Sequence, residues 1–514
     1  MTRAQGGAEA ADNARHTDAK SFLVRGVSIL SQLVIPLAIA SFTILRDGDF
    51  LSLIWFVVPA IALVVGINFL FAYLQWSRLT YTVGEQDIRV DSGVLSRAAR
   101  SVPFERIQDV SLEQKLLPRL FGLVEVKFET GAGGGEDLSL TYLSNEEGER
   151  LRRVVRERRD AQSGEVAGAG AAEAGEAEPT GDALFAMDQR RLFVFGMFEF
   201  SLAVFAVLAG LLQYVDTFIG IELWDPDLWQ GWIESQSSWF SSFGFVAQAA
   251  GAVAGIVVLL LVGSATGMVR TFLREWEFLL EKTARGFRRR RGLLTKTDVV
   301  MPAHRVQALQ IGTRLVRYRF GWHNLKFVSL AQDAGASNHV VAPFAKMDEI
   351  DPIVAAAGFH LPEAKADWHR ASKKYRLDSA VIDAAIFSLV AIPVAIFAPP
   401  WALPIPLFLA VASAAIAVYS WQFHRHTIDG KQIMAQSGYF APQMQLSRRV
   451  KLHTVEISRG PIAQRRGYAT LHLGLAGGEF SIPGVPIERA IAVRKAVLES
   501  ISATDFSKLE SAES

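Results

Sequence analysis

Gly93-Val94-Leu95, then Pro103-Phe104-Glu105-Arg106-Ile107-Gln108, then Phe121-Gly122 form a spaced pattern that the chain repeats. At an offset of 199 stand Gly292-Leu293-Leu294, Pro302-Ala303-His304-Arg305-Val306-Gln307 and Phe320-Gly321. At an offset of 345 stand Gly438-Tyr439-Phe440, Lys451-Leu452-His453 and Gly467. No insertion or deletion interrupts the pattern. Self-similarity at fixed spacing marks a repeated structural unit, so the 514 residues pose one folding problem three times.

Each copy follows a pair of apolar segments. About 20 apolar residues are needed to cross a bilayer as a helix. Six stretches qualify: Val24–Leu45, Phe50–Leu74, Leu192–Gln213, Phe245–Val269, Ser379–Ala398 and Trp401–Trp421. Composition agrees, with half the residues hydrophobic and a fifth charged. The loop 214–242 carries Asp216, Glu222, Asp225, Asp227 and Glu234 but no Lys or Arg, whereas the repeats are rich in both. By the positive-inside rule, both termini and all three repeats of a multi-pass membrane protein are expected in the cytoplasm. In the fourth stretch, Gly251, Gly255, Gly263 and Gly267 favour close helix packing.

After the second glycine comes a strand with period-two alternation. Val124, Val126 and Phe128 face one way in the first copy; Leu325 and Phe327, then Leu471 and Leu473, do so in the others. The first and third copies close on helical patterns that start at Asn145 and Pro486. The fold class is therefore membrane α-helical plus soluble β (α+β): six transmembrane helices in three pairs, each followed by an antiparallel β-domain with a C-terminal helix.

The expected boundaries are a polar tail at 1–23, a hairpin at 24–75, a first domain at 76–160 and a flexible Ala/Gly/Glu linker at 161–183. A second membrane pair at 184–275 leads to a second domain at 276–360. A connector at 361–378, a third pair at 379–421, a third domain at 422–505 and a tail at 506–514 complete the chain.

A membrane hairpin, a Gly-aliphatic-aliphatic turn, Pro-x-x-Arg-x-Gln, and Phe-Gly before a strand together resemble the bacterial pleckstrin-homology (PH) domains of the YdbS/YdbT family of membrane proteins. The third copy departs from the pattern, with Arg448 for proline, His453 for glutamine and Arg466 for phenylalanine. The resemblance implies a PH-like architecture and a bacterial plasma-membrane protein, and it supplies no catalytic residues.

Candidate contacts follow from charge. Arg288, Arg289, Arg290 and Arg291 form a juxtamembrane basic run that would attract anionic headgroups at about 1 kcal/mol per charge; otherwise they form a solvated basic face. Arg106 with Gln108, and Arg305 with Gln307, would share a face if their segment is a strand. There they would bind an anionic headgroup or a partner peptide, or else satisfy backbone groups where strand meets turn. Glu199 lies seven residues inside the third stretch, where an ionisable residue signals function by default.

No cysteine, metal-spaced histidine set, phosphate loop or nucleophile–base pair is present, so no metal, cofactor or catalytic site is expected. The net charge of +1 argues against nucleic acid as a partner. The sequence points to a non-enzymatic scaffold that docks proteins or anionic lipid headgroups at the inner leaflet. The alternative is a component of a transport or envelope-export and resistance system that uses the six helices. Oligomeric state is open.

Overall fold

The computed structural model describes residues 15–28, 55, 58–93, 98–130, 138–162, 181–201, 203–206, 231, 244–284, 286–333, 336–363, 365–475 and 478–503. Within them, three units each contribute seven strands. The first contains β1 (Arg15–His16), β2 (Thr80–Val83), β3 (Asp87–Ser92), β4 (Ala98–Pro103), β5 (Ile107–Gln114), β6 (Leu123–Thr130) and β7 (Leu138–Ser144). The second contains β8 (Asp182–Ala186), β9 (Leu279–Thr283), β10 (Gly286–Arg291), β11 (Lys296–Pro302), β12 (Val306–Gly312), β13 (His323–Asp333) and β14 (Ala336–Ala345). The third contains β15 (His369–Arg370), β16 (Arg425–Ile428), β17 (Gln432–Ser437), β18 (Gln443–Arg448), β19 (Leu452–Ser458), β20 (Tyr468–Leu475) and β21 (Gly478–Pro486).

In every unit four strands pair antiparallel in chain order, and three more do the same after a short turn. The predicted faces hold: Val124, Val126, Phe128, Leu325, Phe327, Leu471 and Leu473 are all buried. A closing helix packs on them. The closing helices are Asn145–Gln162, Met347–Ala356 and Ile487–Ser502, and they bury Leu151 and Val155, Ile350 and Ile353, and Val493 and Val497. Spacings of three and four put those side chains on one stripe of a helix.

The two repeated glycines have a backbone reason. Gly93, Gly292 and Gly438 have φ of 115°, 110° and 138°; Gly122, Gly321 and Gly467 have 72°, 67° and 77°. These are conformations that a Cβ disfavours. A Cβ on Gly292 would also lie 1.9 Å from the Thr295 carbonyl oxygen.

Each unit begins earlier than the sequence suggested. The strands β1, β8 and β15 precede the apolar helices yet complete the sheet that follows them. Two of the three are only two residues long, too short to show alternation. Trp76 and Trp421, at matching repeat positions, tie helix end to early strand. Their indole N–H groups donate to the carbonyls of Thr17 and Ala371, each at 2.9 Å.

Among the described residues three helices are long and apolar enough to cross a membrane: Ala249–Glu275, Lys373–Phe397 and Pro404–Phe423. They correspond to the fourth, fifth and sixth predicted spans. The helix at Val58–Ser77 represents the second. Most of the first span, the third from 207 onward, the acidic loop apart from position 231, and linker residues 163–180 lie outside the described residues.

Candidate functional site: the junctions between units

The units are not separate beads. Strand β5 of the first pairs antiparallel with β11 of the second, giving one seven-stranded sheet ordered β7-β6-β5-β11-β10-β9-β8. Strand β12 of the second pairs with β18 of the third in another, ordered β14-β13-β12-β18-β17-β16-β15. Each sheet therefore belongs to two units.

The Pro-x-x-Arg-x-Gln motif builds the corner between a unit's two sheets. Pro103, Pro302 and Arg448 hold φ of −60°, −60° and −71° at the entry to a single 3-10 turn. Arg106, Arg305 and Lys451 end that turn. The next strand carries a bulge in every unit, with register shifts spanning Gln108, Gln307 and His453. Arg106 and Gln108 therefore do not share a strand face, nor do Arg305 and Gln307, because one ends a turn and the other is the extra residue of a bulge. Arg106 is exposed, whereas Gln307 is buried. Lys451 shows what the basic position does: its Nζ donates to the carbonyls of His304 and Val306 in the second unit, at 2.7 and 2.8 Å.

The third unit's departure at 448 has a compensation. Its guanidinium donates to the Gly358 carbonyl at 2.8 Å and covers the Phe359 ring. Around it, Gln432 Nε2 donates to the His360 carbonyl at 2.6 Å, and His360 sits 3.0 Å from Asp429. Leu309 faces Leu446 across the ladder, and both are fully buried.

The first junction is built differently. Asp298 on β11 receives Arg288 through Nε at 3.0 Å and Nη2 at 2.5 Å. It also pairs at 3.7 Å with Arg152, a buried residue of the first unit's closing helix. A cavity of about 430 Å³ opens beside this bridge, lined by Leu112, Gln114 and Glu149 of the first unit and by Arg290, Lys296 and Glu277 of the second. Its mixed charge suits a polar chain segment better than a bare anion.

The arginine run, expected to lie exposed, is engaged inside the protein. Arg288 holds Asp298; Arg289 is 4% exposed and donates to the Val340 carbonyl at 3.0 Å. Arg290 meets Glu281 at 3.0 Å, and Arg291 meets the buried Glu275, where the long helix Phe245–Glu275 ends, at 2.8 Å. Cross-strand and diagonal partners of opposite charge explain the cluster.

Glu199 does not sit within an unbroken span. The helix Gln189–Met197, capped by Asp188, ends just before it, and helix resumes at 203–206. The break is accommodated by the neighbouring helix, where a Cβ on Gly267 would lie 1.6 Å from the Glu199 carbonyl oxygen. The Ser201 amide donates to the Gly263 carbonyl at 3.0 Å. The Glu199 carboxylate is held by Arg314 at 3.1 Å and by Arg317, both in the second unit. Burial lowers the Arg317 pKa from its usual range, and the Glu199 charge opposes that shift.

Sequence reasoning passed over the segment between the bulged strand and the second glycine. It forms a short helix in each unit, at Leu116–Leu120, Leu315–Arg319 and Pro461–Arg466. Leu120, Phe320 and Ile462 are exposed there. These helices lean on the bases of the apolar helices. Tyr318 meets Phe423 edge to face, and Arg466 pairs with Asp378 at 2.8 Å. Through Arg119 the first reaches Leu293, whose amide is bonded to Leu273 of the long helix. The signal was a Leu-Leu-Pro-Arg-Leu-Phe stretch recurring as Leu-Val-Arg-Tyr-Arg-Phe.

Among the described residues, no group of three His, Asp or Glu side chains is placed to hold a metal.

Fold and junctions together define a class: a membrane-associated protein built of PH-like units fused edge to edge. The chain belongs to the bacterial PH domain family, whose model matches residues 33–159, 239–356 and 381–501. Each match takes in apolar helix as well as sheet. The transmembrane protein YdbT of Bacillus subtilis (strain 168) is 22% identical over 409 residues, which cover 74% of this chain and 76% of YdbT. No solved structure matches the chain.

Proposed function

We propose that this chain is a non-enzymatic scaffold of the bacterial plasma membrane, with its three PH-like units on the cytoplasmic side, where they dock protein partners. The observation that carries this is the pairing of β5 with β11 and of β12 with β18, which fuses three units into one surface. A fused surface presents several weak contacts at high effective concentration. Anionic headgroups are the lesser part of this reading, because the four arginines that would meet them have protein partners. Transport draws no support from Glu199, which serves as an anchor for Arg314 and Arg317.

The test is site-specific photocrosslinking in native membranes from exposed Tyr439 and Ile491. Recurrent protein adducts that differ between the two positions and vanish when Gln310→Pro breaks the second junction are the expected result. Adducts to lipid alone, or uptake of a solute by the purified protein in vesicles, would overturn the reading.

A further inference from the structure

Strand β4 corresponds to β11 and β18, and strand β19 corresponds to β5 and β12. Internally, every strand of these two types is covered by a neighbouring unit. At the ends of the array the two are left over. Among the described residues β4 pairs only with β3, and β19 only with β20. Ala98 to Ser101 are exposed in β4, as are His453, Thr454, Glu456 and Ser458 in β19.

Both internal junctions use the same register. At the first, Asp298 faces Leu112; at the second, Met444 faces Ile311. Removing the repeat offsets of 199 and 345 turns both pairs into position 99 against position 112. A unit of this kind therefore joins the next one in a single way. We propose that β19 of one copy of this chain pairs antiparallel with β4 of a second copy in that register, so that copies join head to tail. The inference goes beyond the scaffold reading, since the partner it names is another copy of this chain.

The register assigns each contact. Thr454 faces Val102, Val455 faces Ser101, Glu456 faces Arg100 and Ile457 faces Ala99. The Glu456–Arg100 position is held by Gln310 and Gln445 at the second internal junction. Charges on an exposed edge commonly keep it from pairing, and edges guarded against each other would carry one sign. Here the signs are opposite, which favours the pair. Arg106 adds a second argument. At the internal junction Lys451 donates to the carbonyls of His304 and Val306. Its first-unit equivalent is the exposed Arg106, and the matching acceptors on the neighbouring copy are the carbonyls of Val450 and Leu452.

Because the two edges differ, the contact is heterologous and propagates as a row or a larger ring rather than closing as a symmetric dimer. The native chain has no cysteine, so disulfide trapping is clean. In native membrane vesicles oxidised with copper-phenanthroline, the R100C/E456C chain is expected to give a reducible ladder of dimers, trimers and higher species. S101C/E456C, whose side chains point to opposite faces, should give little. The internal pair Q310C/Q445C should close within one chain, and it shows that this register can be trapped. R100E should thin the ladder from a second trapping pair, A99C/I457C, and adding E456R should restore it. Monomer alone from R100C/E456C while Q310C/Q445C closes would overturn the proposal. So would a dimer from R100C alone, or a heterologous protein captured at position 100.

Discussion

The two internal junctions share a backbone register and differ in almost everything else. The second is apolar at its centre, where Leu309 meets Leu446, and its rim is bonded by Arg448, Lys451 and Gln432. The first depends on the Arg152–Asp298–Arg288 bridge and leaves a cavity of about 430 Å³ beside it. Backbone pairing therefore sets how units join, and side chains set how tightly. The second junction is closed by apolar contact and hydrogen bonds, and the first leaves space beside its ion bridge.

Leu446→Asp should break that contrast most severely. It buries an unpaired carboxylate against Leu309, at a cost above about 4 kcal/mol. The same kind of change at the first junction, Leu112→Asp, borders the cavity and should cost no more than half as much. Denaturant midpoints of the two full-length variants in detergent decide it; equal losses would erase the distinction. Asp298→Ala comes next, because it removes the carboxylate shared by Arg288 and the buried Arg152 and should cost about 3 kcal/mol. Proteolysis should then cut the first unit faster than the third.

Acid should act on the third unit before the first. His426 on β16 is buried, and its pKa is pushed down to about 4 by burial, with His369 and Arg489 adding repulsion. An unfolded histidine titrates near about 6.5. Its contribution, at most about 3 kcal/mol, is complete above that pH and is lost as the pH falls towards 4. A stability profile of wild type against His426→Phe between pH 8 and pH 4 should show the loss in wild type only. The smallest effect belongs to Arg448→Pro. Proline suits a φ of −71°, so the corner survives and the loss is confined to the guanidinium's contacts with Gly358 and the Phe359 ring, about 1 kcal/mol.

Much of this fold was legible before any coordinates. The repeated glycines marked the unit, and the alternation at Val124, Val126 and Phe128 announced the buried sheet face. The closing helix of the second unit was expected from the repeat and not from its own residues, where Pro352 lies within the helix. The strands at 15–16 and 369–370 were too short to leave a pattern. The candidate site was less legible. Four consecutive arginines read as a headgroup contact, yet Glu275, Glu281 and Asp298 and the Val340 carbonyl claim them, and their pairing depends on strand neighbours. Glu199 read as an intramembrane charge because hydropathy does not register a helix break accommodated by Gly263 and Gly267 of another helix.

The sequence by itself determined the threefold unit, its apolar helices and the inward face of each sheet, since these rest on residue type and spacing. Only the tertiary structure decided that adjacent units share sheets, because edge-to-edge pairing is made by backbone N–H and C=O groups that every residue carries. For the same reason it alone distinguished β4 and β19 from their covered counterparts: an edge is defined by what lies beside it.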